Sequence, residues 1–313
     1  MNYIKPKKLK RGELVGIISP ASSANDERDV ENGVKYIEGL GYRTILGNNV
    51  GKQRGYLAGT DEERVQDIHQ MFSDKNIRAI FCLRGGYGAF RLLDKIDYKL
   101  IQKNPKIFVG FSEITALQMA ILKKANLVTF AGPMILSNFS KDKNDFTEKN
   151  FWSVITSSKK LKRISFFQKN ILSNIKFGEV IGELVGGNLS VFTSLLGTGY
   201  LPDLKNKILL LEEVNEPPYK VDRIFNQLRL NKVFDKVSGI ILGNFIDCEE
   251  TDKKKSSLTL EEVFTDYFNE LKIPIVSSIS HGHSKKMITL PLGVKLKINL
   301  DKRHLEFMEG CVR

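Results

Sequence analysis

The segment Lys106-Ile-Phe-Val-Gly-Phe-Ser112-Glu-Ile-Thr-Ala-Leu117 decides the reading of the chain. Residues 107–111 form an apolar run that reads as a buried strand. The run ends at Ser112, and Ile114, Leu117 and Ile121 begin a helical period at once. A serine on so sharp a strand-to-helix turn has its hydroxyl held above the edge of a sheet. The first N–H groups of the helix, and its dipole, then face any oxyanion that develops there. This is the logic of a nucleophile elbow, although G-x-S-x-G is incomplete because Ile114 stands where the last glycine would be. Simple N-capping by Ser112 fits the same residues.

Working outward, apolar β-branched runs at 14–19, 43–46, 79–83 and 128–130 alternate with helical patterns such as 30–40 and 62–72. Such alternation predicts a parallel sheet covered on both faces. In these sheets the ligand site lies beyond the carboxyl ends of the strands. Three strand-end loops are therefore predicted to converge: Ser19-Pro-Ala-Ser-Ser23, Arg84-Gly-Gly-Tyr-Gly88 and Gly110-Phe-Ser112. The second half supplies strand patterns at 180–185, 208–211, 239–242, 275–278 and 294–298, with helices after Asn188 and Tyr219. The whole predicts an α/β protein of two domains. Residues 1–140 form an N-terminal parallel-sheet domain with Ser112, and residues 177–313 a β-rich α/β C-terminal domain. The active site lies at their interface, and a basic linker over 141–176 joins them, with 151–155 able to form a short docked helix.

A length of 313 residues suits two domains and a core that needs no disulfide or structural metal. The three cysteines, Cys82, Cys248 and Cys311, have no C-x-x-C spacing, which fits a reducing compartment. No secretory h-region or membrane-spanning run is found, so a cytoplasmic protein is expected. The net charge of +12 is local: residues 1–11 carry +5, and 139–176 carry nine basic against three acidic side chains. Lysine outnumbers arginine 35 to 13, whereas base and phosphate readout favours arginine forks. A solvated tail and linker explain the charge, and no nucleic-acid partner is expected.

A serine nucleophile needs a base, and the chain has four histidines. His69 sits in a polar helical stretch and His304 in a basic turn. His281 and His283, in Ser280-His-Gly-His-Ser284, lie in a loop just past a strand, a better setting for function. Their H-x-H spacing also suits a metal, but the other two histidines offer no matching ligand setting. The base in turn needs an orienting acid. Leu209-Leu-Leu-Glu-Glu-Val-Asn-Glu216 sets carboxylates at the end of a strongly apolar strand, where a lone carboxylate is costly to desolvate. Glu212, directly after the run, is the best placed; Glu213 and Glu216 read as solvated or structural. Serine, acid, histidine is the order found in α/β-hydrolases. The loop Arg84-Gly-Gly-Tyr-Gly88 matches no dinucleotide or P-loop pattern, and its glycines suit either a tight turn or backbone N–H groups brought close to a substrate oxygen.

Taken together, these segments resemble the LD-carboxypeptidase family of serine peptidases, which includes the microcin C self-immunity peptidases. The resemblance spans about residues 11–300. It rests on Gly16-Ile-Ile-Ser-Pro-Ala-Ser22, Arg84-Gly-Gly-Tyr-Gly88, Gly110-Phe-Ser-Glu-Ile-Thr-Ala-Leu117 and Phe130-Ala-Gly-Pro133. Further on it rests on Gly186-Gly-Asn-Leu-Ser190, Leu211-Glu-Glu213, Tyr219-Lys-Val-Asp-Arg223, Gly282-His283 and Thr289-Leu-Pro-Leu-Gly293. The resemblance implies a Ser112, His283 and Glu212 triad, His283 being the histidine that follows glycine and precedes the Thr-Leu-Pro run. It implies oxyanion donation by the backbone N–H groups of Gly86 and Glu113, where Glu113 departs from the family's usual aspartate. Arg84, or backbone amides near Ser22, would hold the substrate carboxylate.

The activity so implied is release of the terminal D-alanine from a cytoplasmic murein tetrapeptide, through an acyl-enzyme and with no metal or organic cofactor. A homodimer is implied, and no membrane partner. The alternative is a peptidase that disarms a microcin C-type peptidyl-nucleotide, which calls for an aromatic stacking surface beside the triad. Trp152, the one tryptophan, falls in the linker-like stretch, and the compact length favours wall recycling. A non-catalytic muropeptide-binding protein is the reading of another class.

Overall fold

The computed structural model describes residues 3–140, 143–172, 174–175, 177–252 and 254–313. Its first half contributes strands β1 (Leu14–Ile18), β2 (Arg43–Leu46), β3 (Ile77–Cys82), β4 (Ile107–Gly110) and β5 (Thr129–Ala131). Then follow β6 (Ile164–Ser165), β7 (Glu179–Asn188), β8 (Ile208–Val214), β9 (Gly239–Ile246) and β10 (Ile275–Val276). The chain ends with β11 (Leu290–Leu292), β12 (Lys295–Asn299) and β13 (His304–Phe307). They form two sheets, ordered β11-β5-β4-β3-β1-β2 and β10-β9-β8-β7-β12-β13-β6. The fold is a two-domain α/β architecture.

In the first sheet β1 to β5 are all parallel. Helices cover it, and β4 is buried along its whole length, so the central strands read as unbroken apolar runs. Helix Asp61–Ser73 is typical of the cover: Thr60 and Glu63 close a capping box, and Val65, Ile68, Met71 and Phe72 form the buried stripe. The sixth strand comes from the other half of the chain. β11 pairs antiparallel with β5, Pro291 opposite Phe130. Proline is tolerated there because β11 is an edge strand. In the second sheet β7 to β10 run parallel, while β12, β13 and β6 add antiparallel pairs.

Within the stretch expected as a linker, the described residues are folded onto both halves; its two ends, 141 and 176, lie outside the described residues. Helix Asp145–Thr156, capped by Asn144, buries Phe151, Val154 and Ile155. Trp152 stacks on Tyr42 with ring centroids 5.0 Å apart and donates its indole N–H to Tyr36 Oη at 3.0 Å. Beyond that helix, β6 pairs with β13, and Lys160 and Arg163 flank Glu306. Among the described residues, no helix is long and apolar enough to cross a membrane.

Candidate active site

The carboxyl ends of β4 and β8 meet at one point. After β4, Phe111 is extended, Ser112 turns to φ +62°, and a short 3-10 turn leads into helix Thr115–Ala125. A left-handed φ at a residue with a side chain is disfavoured by about 1–2 kcal/mol, and such strain gathers where a side chain must be aimed. Here it aims the Ser112 hydroxyl away from the sheet and toward the second half of the chain.

Glu212 lies near the end of β8, buried, with Asn188 of β7 beside it in register. His283 arrives from the loop after β10. Its Nδ1 lies 2.8 Å from Glu212 Oε2 and its Nε2 lies 3.0 Å from Ser112 Oγ. An ionised carboxylate can only accept, so Nδ1 carries the hydrogen and Nε2 offers its lone pair to the serine hydroxyl. Phe111 packs edge-on against the imidazole, ring centroids 4.9 Å apart, and limits its swing. Gly282 lets the chain pass over the acid: its φ is +109°, and a Cβ there would sit 2.5 Å from Glu212 Oε2.

The neighbouring residues have other tasks. Glu213 is buried and accepts N–H groups from Asn188, Ser190 and Val214, all within 2.9 Å, so it is structural. Burial pushes its carboxyl above the ordinary range. Glu216 faces Lys220 one helical turn away. His281 is fully buried and donates Nδ1–H to the Ile288 carbonyl at 2.8 Å; burial lowers its pKa and keeps it neutral. His69 accepts from the Asp97 N–H, and His304 lies on β13. Among the described residues, no three His, Cys, Asp or Glu side chains are grouped as metal ligands.

The glycine loop sits directly beside the serine. A Cβ on Gly85 would lie 3.1 Å from Ser112 Oγ and 3.5 Å from Glu113 N, so the space in front of the hydroxyl exists because residue 85 has no side chain. Among the described residues the Gly86 N–H has no acceptor. Arg84 spends one N–H on the Ser23 carbonyl at 3.4 Å. Ser22 braces this loop: its N–H donates to the Gly85 carbonyl, its hydroxyl donates to the Tyr56 carbonyl at 2.7 Å, and that hydroxyl accepts the Tyr87 N–H at 3.2 Å. Tyr56 and Tyr87 stand beside it edge-to-face, centroids 5.3 Å apart and 67% and 56% exposed. Sequence reasoning missed this pair; Tyr87 was legible only as part of the glycine motif, and Tyr56 carried no signal.

Residues 15–132 match the model of the LD-carboxypeptidase N-terminal domain, and residues 181–298 that of the C-terminal domain. The chain belongs to the LD-carboxypeptidase family. It is 37% identical to a probable murein peptide carboxypeptidase of Bacillus subtilis over 96% of this chain and 92% of that one. Its fold superposes on a structure of MccF in complex with glutamyl sulfamoyl guanosine with a TM-score of 0.88, at 29% identity and 99% coverage of both chains. It also matches a muramoyltetrapeptide carboxypeptidase from Oxalobacter formigenes, TM-score 0.83 at 28% identity, over 94% of this chain and 97% of that one. As an LD-carboxypeptidase, the protein is a serine peptidase of the muramoyltetrapeptide carboxypeptidase type.

Proposed function

We propose that this LD-carboxypeptidase removes the terminal D-alanine from murein tetrapeptide in the cytoplasm, as a homodimer, with Ser112 as nucleophile, His283 as general base and acid, and Glu212 as the orienting acid. The reading is carried by one observation: His283 touches Ser112 Oγ with one nitrogen and Glu212 with the other.

Ser112 Oγ attacks the carbonyl that joins an L-configured centre to the terminal D-residue, and its proton passes to His283 Nε2. The imidazolium so formed is held by Glu212, which stays ionised. Negative charge gathers on the carbonyl oxygen, facing the N–H groups of Gly86 and Glu113. The C–N bond breaks as His283 returns the proton to the departing amine, leaving an acyl-enzyme on Ser112. Water, deprotonated by the same histidine, attacks that ester and restores the serine. These steps use three side chains, two backbone amides and water. Arg84, which opens the glycine loop beside Ser112 and donates one N–H to the Ser23 carbonyl, is the group we assign to the substrate carboxylate.

The exposed Tyr56 and Tyr87 pair favours one other substrate, a peptidyl-nucleotide whose base would stack on those rings beside the same triad. A competition assay separates the two. The enzyme is given equimolar L-Ala-γ-D-Glu-meso-diaminopimelate-D-Ala and glutamyl-sulfamoyl adenosine, and both are followed by mass spectrometry. Loss of D-alanine from the peptide at the higher kcat/KM is expected. Cleavage of the sulfamoyl adenosine alone would move the assignment to antibiotic immunity.

A further inference from the structure

Behind the glycine loop lies a buried polar network that the reaction scheme does not use. Arg64 belongs to helix Asp61–Ser73, on the same stripe as Val65 and Ile68, and its side chain is fully shielded from solvent. Its Nη1 donates to the Pro20 carbonyl at 2.8 Å and to the Gly88 carbonyl at 2.9 Å. Its Nη2 donates to Asp61 Oδ1 at 2.6 Å, and Asp61 also takes the Nε–H of Arg91 at 2.8 Å. One guanidinium thus joins the loop after β1 to the loop after β3.

Glu113 grips the same loop from the serine side. Its buried Oε1 accepts the N–H groups of Gly88 and Ala89, both at 2.8 Å. Burial raises the pKa of this carboxyl, while those N–H groups and the Arg64 charge oppose the rise. Gly88 is therefore held at its carbonyl by Arg64 and at its N–H by Glu113. Gly86 lies two residues earlier, and the Glu113 N–H directly follows the nucleophile.

We propose that Glu113 and Arg64 are positioning residues for the oxyanion site: clamping Gly88 fixes the Gly86 N–H relative to the Glu113 N–H before substrate arrives. The inference rests on the oxyanion assignment given above. Its physical consequence is specific. Donors held in advance act on charge that develops during reaction, so loosening them weakens transition-state binding while the ground-state complex is little changed. A role confined to folding would lower stability and affect both states together.

The test is a series at residue 113 with Arg64→Lys beside it. Glu113→Ala is expected to lower kcat on the tetrapeptide by roughly 10²-fold, with KM within about threefold of wild type. Glu113→Gln keeps an oxygen that can accept both N–H groups, and is expected to recover most of kcat. A boronic-acid analogue of the scissile peptide, which forms a tetrahedral adduct with the serine, should bind Glu113→Ala about 10²-fold more weakly. Tetrapeptide affinity measured by calorimetry should be the same in Ser112→Ala and in Ser112→Ala/Glu113→Ala. Should Arg64→Lys fail to fold, the residue 113 series alone decides. Unchanged kcat in Glu113→Ala, or equal losses of peptide and boronate affinity, would overturn the clamp while leaving the triad intact. A wild-type enzyme with no turnover would instead overturn the proposed function.

Discussion

Gly85 faces Ser112 so closely that a methyl group on residue 85 would lie 3.0 Å from Ser112 Cβ and 3.1 Å from its Oγ. The reacting carbonyl needs that space. Residue 85 is not among those with positive φ, so alanine there meets no backbone strain and its conflict is with the serine and the substrate. Gly85→Ala is expected to lower kcat/KM by at least about 10²-fold, since misplacement on the scale of 1 Å has that effect. Its Tm should stay within a few degrees of wild type. Steady-state kinetics and calorimetry on one preparation check both statements.

Glu212 is buried and holds His283 by a single 2.8 Å contact. Glu212→Gln keeps the shape but no longer compels Nδ1 to carry the hydrogen, because an amide can also donate. The wrong tautomer then presents Nε2–H to Ser112. A fall in kcat of about 10²–10⁴-fold is expected, with KM little changed. Stopped-flow and steady-state assays with the tetrapeptide would read it.

Glu306 ties β13 to the segment after helix Asp145–Thr156. Hydrogen bonding to Lys160, with the nearby Arg163 charge, holds its carboxyl at about 2, below its ordinary value of 4.5. A carboxyl depressed in the folded state contributes stability above its unfolded pKa and loses it as pH falls through the folded value. Protection factors of amides around residues 160–165, taken relative to intrinsic exchange at each pH, are therefore expected to fall between about pH 4.5 and pH 2. Glu306→Gln should exchange faster at neutral pH and lose that part of the acid response.

Ser112 was legible because strand, turn and helix follow one another within a dozen residues. Glu212 was legible because a carboxylate directly after Leu209-Leu210-Leu211 needs a partner. Spacing alone did not separate His283 from His281; the family resemblance pointed to His283, and the fold ties His281 to the Ile288 carbonyl. The pairing of β11 with β5 was not legible, because three residues containing Pro291 read as loop and acquire their meaning from a partner some 160 residues earlier. Helix Asp145–Thr156 was anticipated only as a short docked element, since its lysines and asparagines mask the buried Phe151, Val154 and Ile155. Arg64 did leave a trace, a charge on the apolar stripe of Val65, Ile68 and Phe72, but its acceptors are backbone carbonyls that no sequence pattern marks.

The most direct test of the Ser112, His283 and Glu212 reading is liquid chromatography with mass spectrometry on L-Ala-γ-D-Glu-meso-diaminopimelate-D-Ala, with wild type and Ser112→Ala run side by side. Loss of one D-alanine with wild type, and a rate at least about 10³-fold lower with Ser112→Ala, is the predicted result. Comparable D-alanine release by both proteins would contradict it.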